Sequence, residues 1–496
     1  METNNKTIEH STKSKVYKGL SSQTLIVLAK GVLEVSVFAL MSRLLTPEDF
    51  GFYAVIIAVT SVFQCLTEAG LGSAVIQRNN ASKEYVSTAL GLSAMLGAFF
   101  MILLIVLAKP LSMLMGQGVE LVKSFRLMSI TLLLCSVNSV ARAMFMRSLD
   151  FLKFGLCEMF GYMLSSAIGI ILAIKGFGVD AIIASAIANT VLMTCILFGV
   201  KRMWPSLTIH RGYIKDIMSY GGWLTGSVIV RRITTELDKL ILTRWIPIAS
   251  IGAYNRPSTF ISRISDQVNG VFDTVLFPIL SSFKDDAPKL NGSFLKAISL
   301  VSLFSMIMGA GFFLCSELII DIFFGPDWRW LTTIFRVLSI SVLFLAYSRV
   351  GDCFFRSLGW VKYYFYVRVI VCVFTLVCIY IGCYYDILGV AIGVVISRIF
   401  DSVVKIAYLA YKTSVKLTDV IKSMLAPTWV TILLAAIFYF VVKNVNYGEY
   451  LGIFGFCTIG LFMLTCLPKL FGNEYYEDVY MIVKTEIINR YNTNKS

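Results

Sequence analysis

The chain has 496 residues, 57% of them hydrophobic and 15% charged, with a formal net charge of +14 and a mean hydropathy of +0.77. Soluble domains carry about a quarter charged residues, so this composition excludes an ordinary soluble protein and identifies an integral membrane protein. The basic balance would suit a polyanion, but the cations are spread through short connections instead of forming one face, which excludes nucleic acid as a partner.

Windows of about 20 apolar residues, each long enough to cross a hydrocarbon core of about 30 Å as a helix, recur along the chain. They are continuous in Leu, Ile, Val, Phe, Met and Ala and do not alternate as barrel strands do, so the fold class is all-α. A polar tail over 1–20 precedes the first span, Ser21 to about Leu45. That span carries Lys30 and Glu34 and lacks an A-x-A-like cleavage site, so no signal peptide is expected. Further spans centre near Ile57, Leu96, Leu133, Ile168 and Val191, then near Ser227 and Ser265, where the apolar signal is weakest. Met308, Leu343, Phe374 and Gly393 mark the next four, and Leu433 and Gly460 a final pair, about fourteen spans in all.

Alternate connections sort by charge. One set holds Lys6, Lys13, Lys15 and Lys18, then Arg78 and Lys83, then Arg142, Arg147 and Lys153, then Lys201, Arg202, Arg211 and Lys215, and continues to Lys412, Lys416 and Lys422. The other set is short and poor in Lys and Arg, as at Pro47, Gly176, Pro247, Pro326, Asp386 and Tyr447. The positive-inside rule then places both termini in the cytoplasm. No connection is long enough for a folded extramembrane domain, which leaves no place for the catalytic loops of a membrane glycosyltransferase or acyltransferase. The eleven cysteines sit singly in apolar runs and the only histidines are His10 and His210, so neither a metal site nor a disulfide framework is expected.

An internal repeat links the first two spans to the seventh and eighth. Arg43, Pro47, Gly51 and Tyr53 are matched by Arg244, Pro247, Gly252 and Tyr254, with proline one place out of step. Six spans separate the copies, an even number, so both halves enter the membrane in the same sense, as parallel repeats of transporters do. The expected organisation is a cytoplasmic tail over 1–20, an N-lobe over 21–205, a C-lobe over 206–415, an appended pair over 416–470 and a cytoplasmic tail over 471–496.

Charges persist inside a bilayer where they face protein or water. Arg256, Thr259, Arg263, Asp266, Gly270 and Asp273 recur every three or four residues, which aligns them on one stripe of the eighth helix. In the seventh, Arg232, Glu236 and Lys239 align beside Arg231, Thr235 and Asp238. One reading makes these local pairs, Glu34 with Lys30 and Glu236 with Arg232. The other makes them the wall of a water-filled cavity between the lobes, lined by the first, second, seventh and eighth spans. There Lys30, Arg231, Arg232, Arg256 and Arg263 would meet an anion, with Arg256 and Arg263 the preferred contacts, since guanidinium forks suit phosphate. Glu236, Asp238, Asp266 and Asp273 would balance or couple that cavity, and Glu68 and Glu158 stay open between helix pairing and a proton or cation site. Arg349 with Asp352 and Arg398 with Asp401 are expected to form i, i+3 pairs.

RLLTPEDFGFYAV followed by GLGSAVIQR, then DFLKFG at Asp150, LDKLILTRW with IGAYNR, and VLFPILSSF at Val275 run in order over most of the chain. Together they resemble the polysaccharide flippases of the Wzx and teichuronic-acid exporter type, in the multidrug, oligosaccharidyl-lipid and polysaccharide exporter (MOP) superfamily. The resemblance implies two six-helix lobes, alternating access and a bacterial inner-membrane location. It also implies a substrate, an undecaprenyl-diphosphate-linked oligosaccharide carried from the cytoplasmic to the periplasmic leaflet for surface polysaccharide such as O-antigen or exopolysaccharide. A polymerase and glycosyltransferases are the partners such a role implies. No bond is made or broken, so an enzyme is not expected, nor a cofactor; coupling to a proton or sodium gradient is left open. The competing reading within the same architecture is a cation-coupled multidrug exporter.

Overall fold

The computed structural model describes residues 26–436 apart from short interior stretches, the longest at 76–81, 202–207 and 215–221; within one helix the side chains of 267–279 are also outside the described set. Helices account for every regular element among the described residues: α1 (29–44), α2 (Pro47–Thr67), α3 (Lys83–Leu114), α4 (Val119–Arg147), α5 (Phe151–Ile174) and α6 (Val179–Lys201). Then follow α7 (Gly222–Trp245), α8 (Ile248–Ser282), α9 (Ala287–Leu314), the short α10 (Ser316–Phe323) and a 3-10 turn (Pro326–Leu331). The series ends with α11 (Thr332–Ser357), α12 (Val361–Cys383), α13 (Asp386–Thr413) and α14 (Leu417–Leu425).

Among the described residues, 9 helices are long and apolar enough to cross a membrane. α7 and α8 are not among them, in line with the weak apolar signal of the seventh and eighth spans. The thirteenth and fourteenth spans, like both tails, lie almost wholly outside the described residues.

Local chemistry sets the helix starts. Pro47 occupies the first turn of α2, where its missing N–H is no loss, and Thr46 caps it. The Asp49 amide donates to Thr46 Oγ1 at 3.3 Å while the Thr46 amide donates to Asp49 Oδ2 at 3.0 Å, a reciprocal capping box. Ser82 caps α3 by accepting from the Tyr85 amide. Between α4 and α5, Asp150 accepts from Lys201 Nζ at 2.6 Å and from Ser148 Oγ at 3.0 Å. The Lys201 ammonium thereby holds the Asp150 carboxyl below the usual carboxylate range.

The described chain forms two compact units interleaved in sequence. The first comprises Met1–Arg256, Phe323–Gly325 and Arg368–Ile387 and the second the remainder, so α7 belongs with α1 to α6. In the first unit α3 packs along α4, α5 along α6, and α2 along both α4 and α7. Small residues let these helices approach closely and hydrogen-bond across the gap, as is general for bundles embedded in lipid: Ser136 Oγ donates to Ser93 O at 2.8 Å and Ser185 Oγ to Ser165 O at 2.9 Å. In the second unit α9 packs on α11, with Ser302 and Tyr347 hydroxyls 2.7 Å apart in a buried contact. Phe260, Phe312 and Phe335 of this unit pack against one another in tilted and edge-on geometry, with ring centroids 6.0–6.1 Å apart.

The two repeat copies meet directly within the first unit. A side chain on Gly51 would collide with the carbonyl oxygen of Ile248, and one on Gly252 with the carbonyl oxygen of Pro47. The contact is reciprocal at the repeat offset, each glycine against the backbone that opens the other copy's helix. Because the obstacle is backbone, no rotamer change relieves it. Gly51→Ala or Gly252→Ala should therefore cost about 1–3 kcal/mol by overpacking and lower the Tm of the detergent-solubilised protein; an unaltered Tm in both variants would contradict this close approach.

Candidate functional site

A cavity of about 600 Å³ opens inside the first unit, bounded by α1, α2, α4, α5 and α6. Helical spacing directs its polar side chains inward: Lys30 and Glu34 lie one turn apart on α1, Gln64 and Glu68 at the end of α2, Asn138 and Arg142 on α4, and Glu158 and Tyr162 on α5. Asn189 and Thr190 come from α6, above the apolar Met193 and Leu197.

Glu158 is the centre of the ionic contacts. Its Oε2 lies 3.1 Å from Lys30 Nζ and its Oε1 3.1 Å from Arg142 Nη2, so one carboxylate bridges two cations from different helices. Lys30 is also 3.8 Å from Glu34. Lys30 and Glu158 remain 25% and 23% exposed and Arg142 59%, so the cluster is wet enough to exchange partners. Glu68 pairs with no cation among the described residues and accepts from Gln64 at 2.9 Å. Asn138 donates to Thr190 O at 3.4 Å, while its buried Oδ1 has no hydrogen-bond partner. The cavity therefore offers two cations, three carboxylates and an amide acceptor without a donor.

The sequence-predicted residues divide. Lys30, Glu34, Glu68 and Glu158 come together in this cavity. Glu236 is buried and takes both Lys239 Nζ at 2.6 Å and Arg232 Nη1 at 3.6 Å, the local pairing expected of it. Asp238 is buried and accepts from Tyr254 Oη at 3.0 Å, tying α7 to the start of α8. Arg231 and Arg232 are only partly covered.

Several expectations are corrected. Arg256, expected to face an anion, is 6% exposed: its guanidinium lies 3.3 Å from the Phe50 ring centroid and 4.0 Å from that of Phe38. It also donates to Ser42 Oγ and, at 3.3 Å, to Phe38 O. Those rings and acceptors hold the guanidinium as packing between the start of α8 and the α1–α2 hairpin. Arg263 is exposed and makes no ion pair among the described residues. Asp266 pairs with Arg349 on α11 in place of a neighbour on its own stripe. The side chain of Asp273 lies outside the described residues. The cavity is lined by α1, α2, α4, α5 and α6, and among the described residues α7 and α8 supply none of its lining.

The two expected i, i+3 pairs on α11 and α13 do not form. Arg349 turns to Asp266, and Arg398 donates to Ser341 Oγ at 2.6 Å. Asp352 and Asp401 instead converge on Lys405, at 2.8 Å each, with Ser348 Oγ accepting from the same ammonium at 2.6 Å. Lys405 is wholly buried and its stem lies against Gly351, where an added Cβ would be 2.9 Å from Lys405 Cβ. The sequence reading missed Lys405 and Arg142. Asn138 and Arg142 at i, i+4 within an apolar run were the available signal for the latter; nothing in the order of residues reveals that α11 and α13 share a lysine.

Residues 40–331, more than half of the chain, match the family of polysaccharide biosynthesis proteins. The teichuronic acid biosynthesis protein TuaB of Bacillus subtilis is 25% identical over 66% of this chain and 68% of its own length. The succinoglycan biosynthesis transport protein ExoT of Rhizobium meliloti is 24% identical over 61% of each. The lipopolysaccharide biosynthesis protein WzxC of Escherichia coli is 22% identical over 64% of each. The chain thus spans about two thirds of the curated relatives it matches. Among solved structures, the lipid II flippase MurJ in an inward closed conformation superposes with a TM-score of 0.70 at 15% identity, over 94% of this chain and 99% of that one. An inward-facing multidrug MATE transporter of the MOP superfamily gives 0.65 at 16% identity, over 79% and 98%. These likenesses show the fold, which is that of MOP transporters.

The Lys405 cluster has a direct consequence for stability. Removing one partner of a buried ion pair typically costs about 3–5 kcal/mol, because the other charges stay buried without it. Lys405→Met should sharply reduce the amount of folded protein in membranes and its Tm, and adding Asp352→Asn and Asp401→Asn should restore much of both; wild-type behaviour of Lys405→Met would refute the pairing.

Proposed function

Because this chain belongs to the polysaccharide biosynthesis protein family, we propose that it is a flippase for a diphosphate-linked lipid oligosaccharide. The observation that carries this reading is the cavity in which Lys30 and Arg142 converge on a single carboxylate. Two cations set to share one anion can share a diphosphate equally well, the guanidinium offering a planar fork and the ammonium a mobile point charge. Undecaprenyl diphosphate is the lipid that fits, its tail staying in the bilayer while the sugars occupy the polar cavity. Asn138 Oδ1 supplies an acceptor for a sugar hydroxyl, which is worth most where the acceptor would otherwise stay buried and unmet.

The step is translocation from the cytoplasmic to the periplasmic leaflet, with no covalent chemistry and no cofactor. Lobes over 21–205 and 206–415 would alternate access, with the pair over 416–470 appended. The distribution of Lys and Arg among the connections supports both termini in the cytoplasm, and the family membership supports an inner-membrane location. A proton or sodium gradient is the driving force we propose, and a polymerase and glycosyltransferases the partners that would consume and supply the substrate.

A second reading has one observation in its favour: three carboxylates, Glu34, Glu68 and Glu158, line the cavity and would suit an organic cation in a multidrug exporter. Complementation separates the two. Lys30→Gln with Arg142→Gln should abolish surface polysaccharide at normal protein level, since each charge-assisted hydrogen bond lost from a partly exposed site weakens binding about tenfold. Full polysaccharide in the double variant, or a wild type that alters only tolerance to cationic dyes, would overturn the flippase reading.

A further inference from the structure

The two cavity cations are already occupied by an anion, and that anion is part of the chain. Glu158 gives one oxygen to each, Oε2 to Lys30 and Oε1 to Arg142, both at 3.1 Å, which is how two oxygens of one phosphoryl group would meet the same donors. The lining sets three carboxyl side chains, Glu34, Glu68 and Glu158, against two basic ones, so an arriving diphosphate must compete with a resident acid for Lys30 and Arg142. Glu34, 3.8 Å from Lys30, stands ready as a second carboxylate beside the ammonium.

The geometry points to Glu158 as a tethered counter-anion, a positioning residue that holds Lys30 and Arg142 while the cavity is empty and is displaced when the substrate's diphosphate takes both. The inference rests on the flippase reading and deepens it by naming what the substrate must displace. Its physical basis is the cost of moving bare charge through a low-dielectric interior: an empty carrier with two unpaired cations would be held back in its return step. With Glu158 across them, the empty cavity is ion-paired much as the loaded one is. Substrate affinity is given up in exchange for a carrier that can reset. Glu158 is suited to this because it is 23% exposed, so that when displaced it reaches water without being buried alone.

The test uses the purified full chain and farnesyl diphosphate as probe, with binding followed by calorimetry and flipping of a fluorescent diphosphate lipid followed in proteoliposomes. Glu158→Gln removes the competitor and keeps the volume. It should bind the probe about tenfold more tightly and flip more slowly at saturation, lowering KM and kcat together. Glu158→Asp, one methylene shorter and unable to reach both cations, should tighten binding to a lesser degree, and Lys30→Gln added to Glu158→Gln should cancel the gain. A residue that merely held helices together would give weaker binding or less protein, never tighter binding. Equal or weaker binding by both Glu158→Gln and Glu158→Asp, beside a wild type that binds, overturns the counter-anion and leaves the flippase reading standing. A wild type that binds no farnesyl diphosphate overturns both.

Discussion

A charge inside a bilayer must be paired, packed against a π-face or kept wet, and that constraint organises this molecule more than any hydrophobic preference does. Apolar surface is abundant and nearly interchangeable among lipid-facing helices, so it decides which segments cross the membrane without deciding which helices touch. The ions decide more. Lys405 obliges α11 and α13 to present Ser348, Asp352 and Asp401 at one point, and Gly351 is needed there because any side chain would displace the lysine stem. Arg256 requires the carbonyl of Phe38, the Ser42 hydroxyl and two aromatic rings, which fixes the start of α8 against the α1–α2 hairpin.

The same hairpin shows how a repeat becomes a contact. Arg, Pro and Gly-x-Tyr recur about 200 residues apart, and the glycines of the two copies meet reciprocally, Gly51 on Ile248 and Gly252 on Pro47. Two-fold logic explains why both must be small: each is at once the intruder and the surface intruded upon. Capping strengthens the first copy, where Thr46 and Asp49 close the helix start in both directions. The second copy has Pro247 and Ile248 in place of that box and relies on Tyr254, which donates to the buried Asp238.

Much of the fold was legible because its cause is local. Helix class, most of the spans, the weakness of α7 and α8, and the pairing of Glu236 with Lys239 all follow from hydropathy or from i, i+3 and i, i+4 spacing, which one helix determines alone. What failed did so for a shared reason. Arg349 with Asp352 and Arg398 with Asp401 were within local reach, yet Arg349, Arg398 and Asp352 each found a partner on another helix, and Asp401 pairs one turn along its own helix with Lys405, which α11 shares. The candidate site was half legible: Lys30, Glu34, Glu68 and Glu158 stand out as ions in apolar runs, but Arg142 resembled one more cation of a connection. Arg256 misled in the opposite direction, since a stripe of polar residues on a helix does not say whether its far side is water or an aromatic ring.

Exposure then separates ions that build from ions that bind. Lys405 and Glu158 have similar stoichiometry, each bridging two opposite charges at about hydrogen-bond distance, and sequence alone would rank them alike. Lys405 has no exposed side-chain surface, whereas Glu158 keeps 23% of its own. A wholly enclosed pair is held by the desolvation of whatever would be left behind, so it persists through any motion that does not unfold the helices around it. A half-wet pair gains far less from its partners than the raw Coulomb attraction suggests, because water competes for every charge in it. It can therefore be replaced by a better anion at modest cost, and a transporter needs that from the ions that face its cargo. By this criterion the working charges of the proposed flippase are Lys30, Arg142 and Glu158, while the enclosed Arg256 and Lys405 belong to the frame around them.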